Sequence, residues 1–152
     1  MSNIVFNVAK GRVVEYYNRV KSNDPSTSRL VLIPIETSGL EADAVLIDSL
    51  TLAEVIDGAT NEQTTNMGRK FLADSDLAAF PGPDTANDRY DVSLPTVTWT
   101  SATGNAISKI VVAYDPNSSA DSAIIPLTMF DAAVTPDGSD IQLTTGVFFR
   151  AS

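Results

Sequence analysis

The sequence predicts a mainly β domain, an antiparallel sandwich or jelly-roll-like barrel, with one or two short helices in its N-terminal half. Three observations lead there. From residue 84 onward, short apolar runs recur about every ten residues with Pro, Gly and Asp turns between them. Helical readings fall only before the turn cluster at Pro81 to Asp84. The 152 residues, 43% hydrophobic and 19% charged, suit one globular domain over 1–152 with a sizeable core.

Ile4 to Val8 is a short apolar run with the length of a terminal strand. Val13, Tyr16, Tyr17 and Val20 then fall at i, i+3, i+4 and i+7, which is one face of a helix. Residues 1–28 therefore read as an N-terminal arm or helix. Asp24, Pro25, Ser26 and Ser28 close it, because Pro25 cannot extend a helix and the others bond to nearby backbone. Leu30 to Ile35 is the most hydrophobic run and reads as a buried strand. Pro34 lacks a ladder donor, which places that strand at an edge or finishes it near that residue.

Thr51 and Glu54 have the spacing of a capping box, and Gly58 is a helix terminator, so a short helix lies between them. Its Leu52, Val55 and Ile56 face a sheet. Residues 59–66 are polar and read as a loop. Arg69 to Ala73 reads as a strand and Asp74 to Phe80 as one helical turn. Pro81, Gly82, Pro83 and Asp84 form the strongest turn cluster, dividing this mixed half from the all-β part, 84–152.

In the second half Tyr90, Val92 and Leu94 share one strand face. Val97 and Trp99 follow Pro95, and Ile107 to Tyr114 follows the turn at Gly104. A turn over Asp115 to Ser119 leads to the strand Ala123–Phe130 and its continuation to Val134. Pro136, Asp137 and Gly138 make a tight turn before Ile141 to Leu143, and Gly146 to Arg150 is the last strand.

Histidine and cysteine are both absent. Those side chains carry most general-base, thiolate and transition-metal chemistry near neutral pH. Their loss removes histidine triads, thiol nucleophiles, redox pairs and disulfides together. Ser and Thr are plentiful but lack a base to activate them. Gly-rich phosphate loops are missing as well. No enzyme activity, catalytic residue, cofactor or metal site is expected.

Two oxygen-ligand chemistries were weighed. Asp84, Asp88 and Asp91 flank a turn, and Asp74 and Asp76 lie close together, but glycoside cleavage needs carboxyls facing across a cleft. Asp115, Asn117 and Asp121, or Asp137 and Asp140, offer calcium donors without the EF-hand order. Turn formation accounts for all of them.

The net charge of −9 is unevenly spread. Residues 1–29 hold five bases against two acids, a balance of +3, and residues 30–152 hold five against 17, a balance of −12. An acidic body disfavours nucleic acid, whose phosphates need clustered Lys and Arg. No apolar run approaches the roughly 20 residues of a membrane span, and the N-terminus lacks signal-peptide order. The basic segment either solvates the surface or docks on an acidic neighbour, including another copy of the chain.

Aromatic placement adds contact candidates. Tyr16 and Tyr17 are adjacent and cannot share one helix face, which leaves one ring for a partner. Phe148 and Phe149 pose the same problem in a strand, one ring in and one out. Trp99 reads as core. The partner-binding candidates are therefore Lys10, Arg12, Tyr16, Tyr17 and Arg19 at one end and Phe148, Phe149 and Arg150 at the other.

Four stretches carry a family resemblance: Asn7 to Val20, Asp84 to Thr100, Ile110 to Pro116 and Gly146 to Ser152. Together they resemble small structural proteins of tailed-bacteriophage virions. The resemblance implies a non-enzymatic homo-oligomer that assembles with other virion proteins and copies of itself, in the virion after synthesis in the host cytoplasm. Head decoration or cement and a neck or tail accessory role both fit, with a capsid-associated or other particle-surface role favoured because the chain lacks the long repetitive shaft of a fibre. The alternative is a tail-fibre or tail-tip module that binds a host receptor or glycan.

Overall fold

The computed structural model describes residues 3–118 and 120–152. Met1 and Ser2 of the expected arm, and Ser119 at the end of the expected 115–119 turn, lie outside the described residues. The elements run β1 (Asn3–Val5), α1 (Val13–Lys21), β2 (Arg29–Glu36), α2 (Asp43–Leu46), α3 (Leu52–Val55), β3 (Lys70–Leu72), α4 (Asp74–Leu77), β4 (Tyr90–Leu94), β5 (Val97–Trp99), β6 (Ile107–Asp115), β7 (Ile125–Val134), β8 (Ile141–Leu143) and β9 (Gly146–Ala151). Short 3-10 turns cover Asn7–Ala9 and Asp121–Ala123.

The chain is mainly β and sandwich-like, with antiparallel pairing throughout. One five-stranded sheet in the order β1-β7-β6-β2-β3 forms the central layer. Two ribbons, β4-β9 and β5-β8, pack on one of its faces together with α1 and α4. The other face is covered by α2, α3 and Phe6.

Alternation sorts the central strands between these two cores. Leu30 and Leu32 face the ribbons, while Val31, Ile33 and Ile35 face α2 and α3. Both faces of β2 are covered, so its sequence is continuously apolar. A bulge in β7 changes the phase. Val112 pairs Thr128 and Ala113 pairs Pro126, so Leu127 is the extra residue. Leu127 consequently enters the first core and Met129 the second.

At Pro34 the edge position does not form, and the strand instead finishes two residues later. β2 is an interior strand, continuing past Pro34 to Glu36 between β6 and β3. The ladder tolerates the proline because β3 pairs only residues 30–32. The Pro34 carbonyl accepts instead from the backbone N–H of Gln63. A strand residue points its N and C=O to one side, so the missing donor lies where β3 has ended.

The helix at 13–21 forms with the expected face: Val13, Tyr16, Tyr17 and Val20 are all buried. Thr51 Oγ1 accepts from the Glu54 N–H at 3.3 Å and Glu54 accepts from the Leu50 N–H, which starts α3. Gly58 follows at φ +72°. α2 was not expected from the sequence.

Candidate interaction surface

The candidates at the two chain ends are brought together, with their aromatics turned inward. Tyr17 is fully buried, its ring 6.1 Å from Phe148 and edge-on to Tyr90 at 6.5 Å. Its hydroxyl donates to the Ser93 carbonyl at 3.0 Å. Burial pushes the phenol up to about 12. Tyr16 is also buried and stacks on Tyr114 at 4.7 Å.

The expectation of one free tyrosine is therefore corrected. Adjacent residues diverge by about 100° on a helix, but α1 lies in a trough between sheet and ribbon. One ring meets β6 and the other meets β4 and β9. The segment is a core element and not a detachable arm.

Phe148 and Phe149 are likewise both partly buried against the same core, so neither is the outward ring expected. Val92 pairs Phe149 and Ser93 pairs Val147, which makes Phe148 a bulge residue. The bulge breaks the two-residue period and turns both rings inward. The outward apolar residue is Val147, half exposed.

The basic candidates keep their heads in solvent. Lys10 and Arg12 flank Gly11, whose φ of +77° makes a protruding turn before α1. Arg12 lies over the Tyr16 ring at 4.6 Å and bonds Glu15 at 3.0 Å. Arg19 reaches the same carboxylate at 3.3 Å. The Arg12 hydrogen bond holds Glu15 below its ordinary range. Arg150 grips Asp91 with two nitrogens, one at 2.9 Å, and that bond depresses Asp91.

Two of the candidate carboxylates, Asp84 and Asp91, are engaged as anions. Asp84 accepts from the Asn87 side chain and the Ala86 N–H and is lowered chiefly by Asn87. Asp84 and Asp91 both lie 3.6 Å from Arg89. A general acid needs a raised pKa, and these two are shifted the other way. Of the calcium candidates, Asp115 is engaged by Arg29 at 2.8 Å and Asp121 by Arg69 at 2.6 Å, while Asp137 accepts from the Ser139 N–H, Asp140 from the Ser101 N–H and Asn117 from the Thr27 hydroxyl. Among the described residues, no group of three or more acidic side chains is placed to hold a metal ion. No described helix is long and apolar enough to cross a membrane.

Sequence reasoning missed two surfaces. A groove of about 220 Å³ opens where β1 and β9 leave the sandwich margin, lined by Asn3, Leu94, Phe130, Leu143, Val147 and Phe148. On the opposite layer Val45 and Leu50 stand 58% and 57% exposed beside α2 and α3. The signal for the second was present, since two aliphatics in an acidic polar stretch invite the question of what they meet. Trp99, in contrast, is buried as expected, donating to the Gly68 carbonyl at 2.8 Å. No protein-family model, curated protein or solved structure matches the chain.

Proposed function

We propose that the chain is a non-enzymatic structural component of a tailed-phage virion, acting by protein–protein contact as a head decoration or neck and tail accessory protein. The resemblance of the four stretches from Asn7 to Ser152 is what carries this reading. The structure adds a compatible arrangement. The first and last of those stretches join through Tyr17 and Phe148 into one rigid unit, with Lys10, Arg12, Arg19 and Arg150 outside it. A rigid surface limits the ordering cost of association, which favours assembly.

The glycan-binding alternative has less support. A sugar platform needs an open aromatic face, and Trp99 is only 2% exposed, with Lys70 5.9 Å above its ring. The structural reading is tested by mass spectrometry of density-purified particles and by labelled-antibody imaging of intact ones. A fixed copy number at one station is the expected result. Absence of the chain from washed particles would sink the proposal.

A further inference from the structure

We infer that the chain associates head to tail with a second copy of itself, the Lys10–Arg12 turn of one copy seating in the acidic cleft beside α2 and α3 of the next. This rests on the reading of the chain as a contact protein and names its first partner.

The acidic side comes from a stretch of chain that carries no cation of its own. From Leu30 to Gly68 the sequence holds Glu36, Glu41, Asp43, Asp48, Glu54, Asp57 and Glu62 and no Lys or Arg. A cleft of about 210 Å³ lies there, lined by Glu41, Val45, Ser49, Glu54 and Asp57 among others. Glu41 bonds Thr60, Glu54 accepts from the Leu50 N–H and Asp57 from the Gly58 N–H. Among the described residues, none of these three has an ion-pair partner. Two cations reach this side from elsewhere and are already held, Lys109 between Asp43 at 3.0 Å and Asp131 at 2.7 Å and Arg69 between Glu62 at 2.7 Å and Asp121 at 2.6 Å. Exposed Val45 and Leu50 border the carboxylates, so the face combines uncompensated charge with apolar area.

The basic side is the complement. Lys10 has no carboxylate partner among the described residues, and Arg12 and Arg19 divide one carboxylate, Glu15, between them. The acids of α4, Asp74 and Asp76, belong to the other end of α1, where Lys21 bonds the Phe80 carbonyl. Gly11 has open space around it, so the turn projects.

The turn leaves the sheet margin just after Asn7, whose backbone N–H donates to the Ile47 carbonyl and whose side chain donates to Asp48, while the helix it leads into and the helices of the cleft lie on opposite layers. The buried side chains of α1 belong to the core on one face of the sheet, and those of α2 and α3 to the core on the other. Each copy can therefore give one surface and receive on the other, a heterologous contact that closes into a ring or continues as a stack. At about 0.1 M salt, charges more than about 10 Å apart are largely screened, so the local match outweighs the repulsion of two acidic chains.

Sedimentation velocity on the full chain over about 1–100 μM, the range of modest interfaces, reads the outcome. The wild type is expected above protomer mass in a concentration-dependent way. Lys10→Glu with Arg12→Glu, and separately Val45→Lys with Asp57→Lys, should each leave protomers only, with Trp99 emission unchanged as proof of folding. An equimolar mixture of the two variants retains one good surface on each and should stop at 1:1 dimers. A wild type that stays monomeric, or a mixture that forms no dimer, overturns the contact. So does a monomeric wild type whose cleft binds oligolysine, since the partner is then another cationic chain. Monomers in solution combined with normal presence in particles would sink this contact alone. Head-to-tail dimers from a chain missing from particles would sink only the virion reading.

Discussion

The Tyr17 hydroxyl donates to the carbonyl oxygen of Ser93, 76 residues away, and so fastens α1 to β4. The same ring lies against Phe148 of β9, so one side chain ties the N-terminal helix to both strands of a ribbon. Tyr17→Phe keeps the packing and orphans a carbonyl, at a cost of about 1 kcal/mol. Tyr17→Ala also removes the ring and is expected to cost about 3–5 kcal/mol. Urea unfolding of both variants measures the difference.

The same tyrosine sets an alkaline limit. Its folded-state pKa is raised to about 12 from an ordinary 10, so the folded chain keeps a proton that the unfolded chain gives up. This contribution is complete below pH 10 and is lost as pH rises through about 12. Tyr90 and Tyr114 are raised by burial as well and act in the same direction. Stability measured between pH 9 and 12 should fall, and fall less steeply in Tyr17→Phe. An equal slope in both proteins would refute the assignment.

Arg69 bonds two acids from separate segments, Glu62 at 2.7 Å and Asp121 at 2.6 Å. It pins the stretch before β3 to the 3-10 turn before β7. Arg69→Gln leaves two largely buried carboxylates unpaired and is expected to cost about 2–4 kcal/mol, toward the low end for buried pairs because Asp121 keeps partial exposure. The Arg69 hydrogen bond depresses Asp121, so that part of the stability is present above the ordinary Asp range and is lost as pH falls through the lowered value. In acid the wild type should therefore lose stability faster than Arg69→Gln. Thermal midpoints between pH 2 and 6 give the comparison.

How much of this was readable depended on whether a feature is local. The Thr51–Glu54 cap, the 13–20 helical face and the Tyr90–Val92–Leu94 alternation are set by neighbours in sequence, and all three formed. The bulges at Leu127 and Phe148 were not legible, because a bulge is a relation between two strands and its sequence gives no separate signal. Pro34 left an edge position and a nearby strand end both open for the same reason, since its tolerance depends on where β3 stops. At the candidate surface the aromatics expected to meet a partner make contacts inside the chain instead. Which aromatics faced solvent was decided by a trough that exists only after folding.

Gln63, in the 59–66 stretch that reads as polar loop, forms a long-range pair with Gly104. The Gln63 side chain is fully buried and donates to the carbonyls of Thr103 and Asn105 at 3.2 and 3.0 Å. It also accepts from the Thr65 N–H at 2.7 Å. Gly104 stands beneath it at φ +107°, and a Cβ there would lie 2.3 Å from Gln63 Nε2. Gly104→Ala therefore adds backbone strain to a displaced amide and should cost about 2–3 kcal/mol. Gly138→Ala, also at positive φ but with open space, carries the strain alone and should cost less. Equal losses in the two variants would remove the Gln63 contact from the account.

Removing residues 1–20 tests whether the N-terminal segment is arm or core. The deletion takes β1 off the sheet edge and removes Val13, Tyr16, Tyr17 and Val20 from the main core. Each buried apolar side chain is worth roughly 1.5–3 kcal/mol, and a domain of this size has only about 5–15 kcal/mol in hand. Tyr114, Tyr90 and Phe148 would lose their ring partners at the same time. The truncated chain should show no cooperative unfolding transition and should bind a hydrophobic dye, with Trp99 emission shifted to the red. A truncated chain that unfolds cooperatively with the wild-type spectrum would make the segment an arm after all, and would return Tyr16 and Tyr17 to the list of partner contacts.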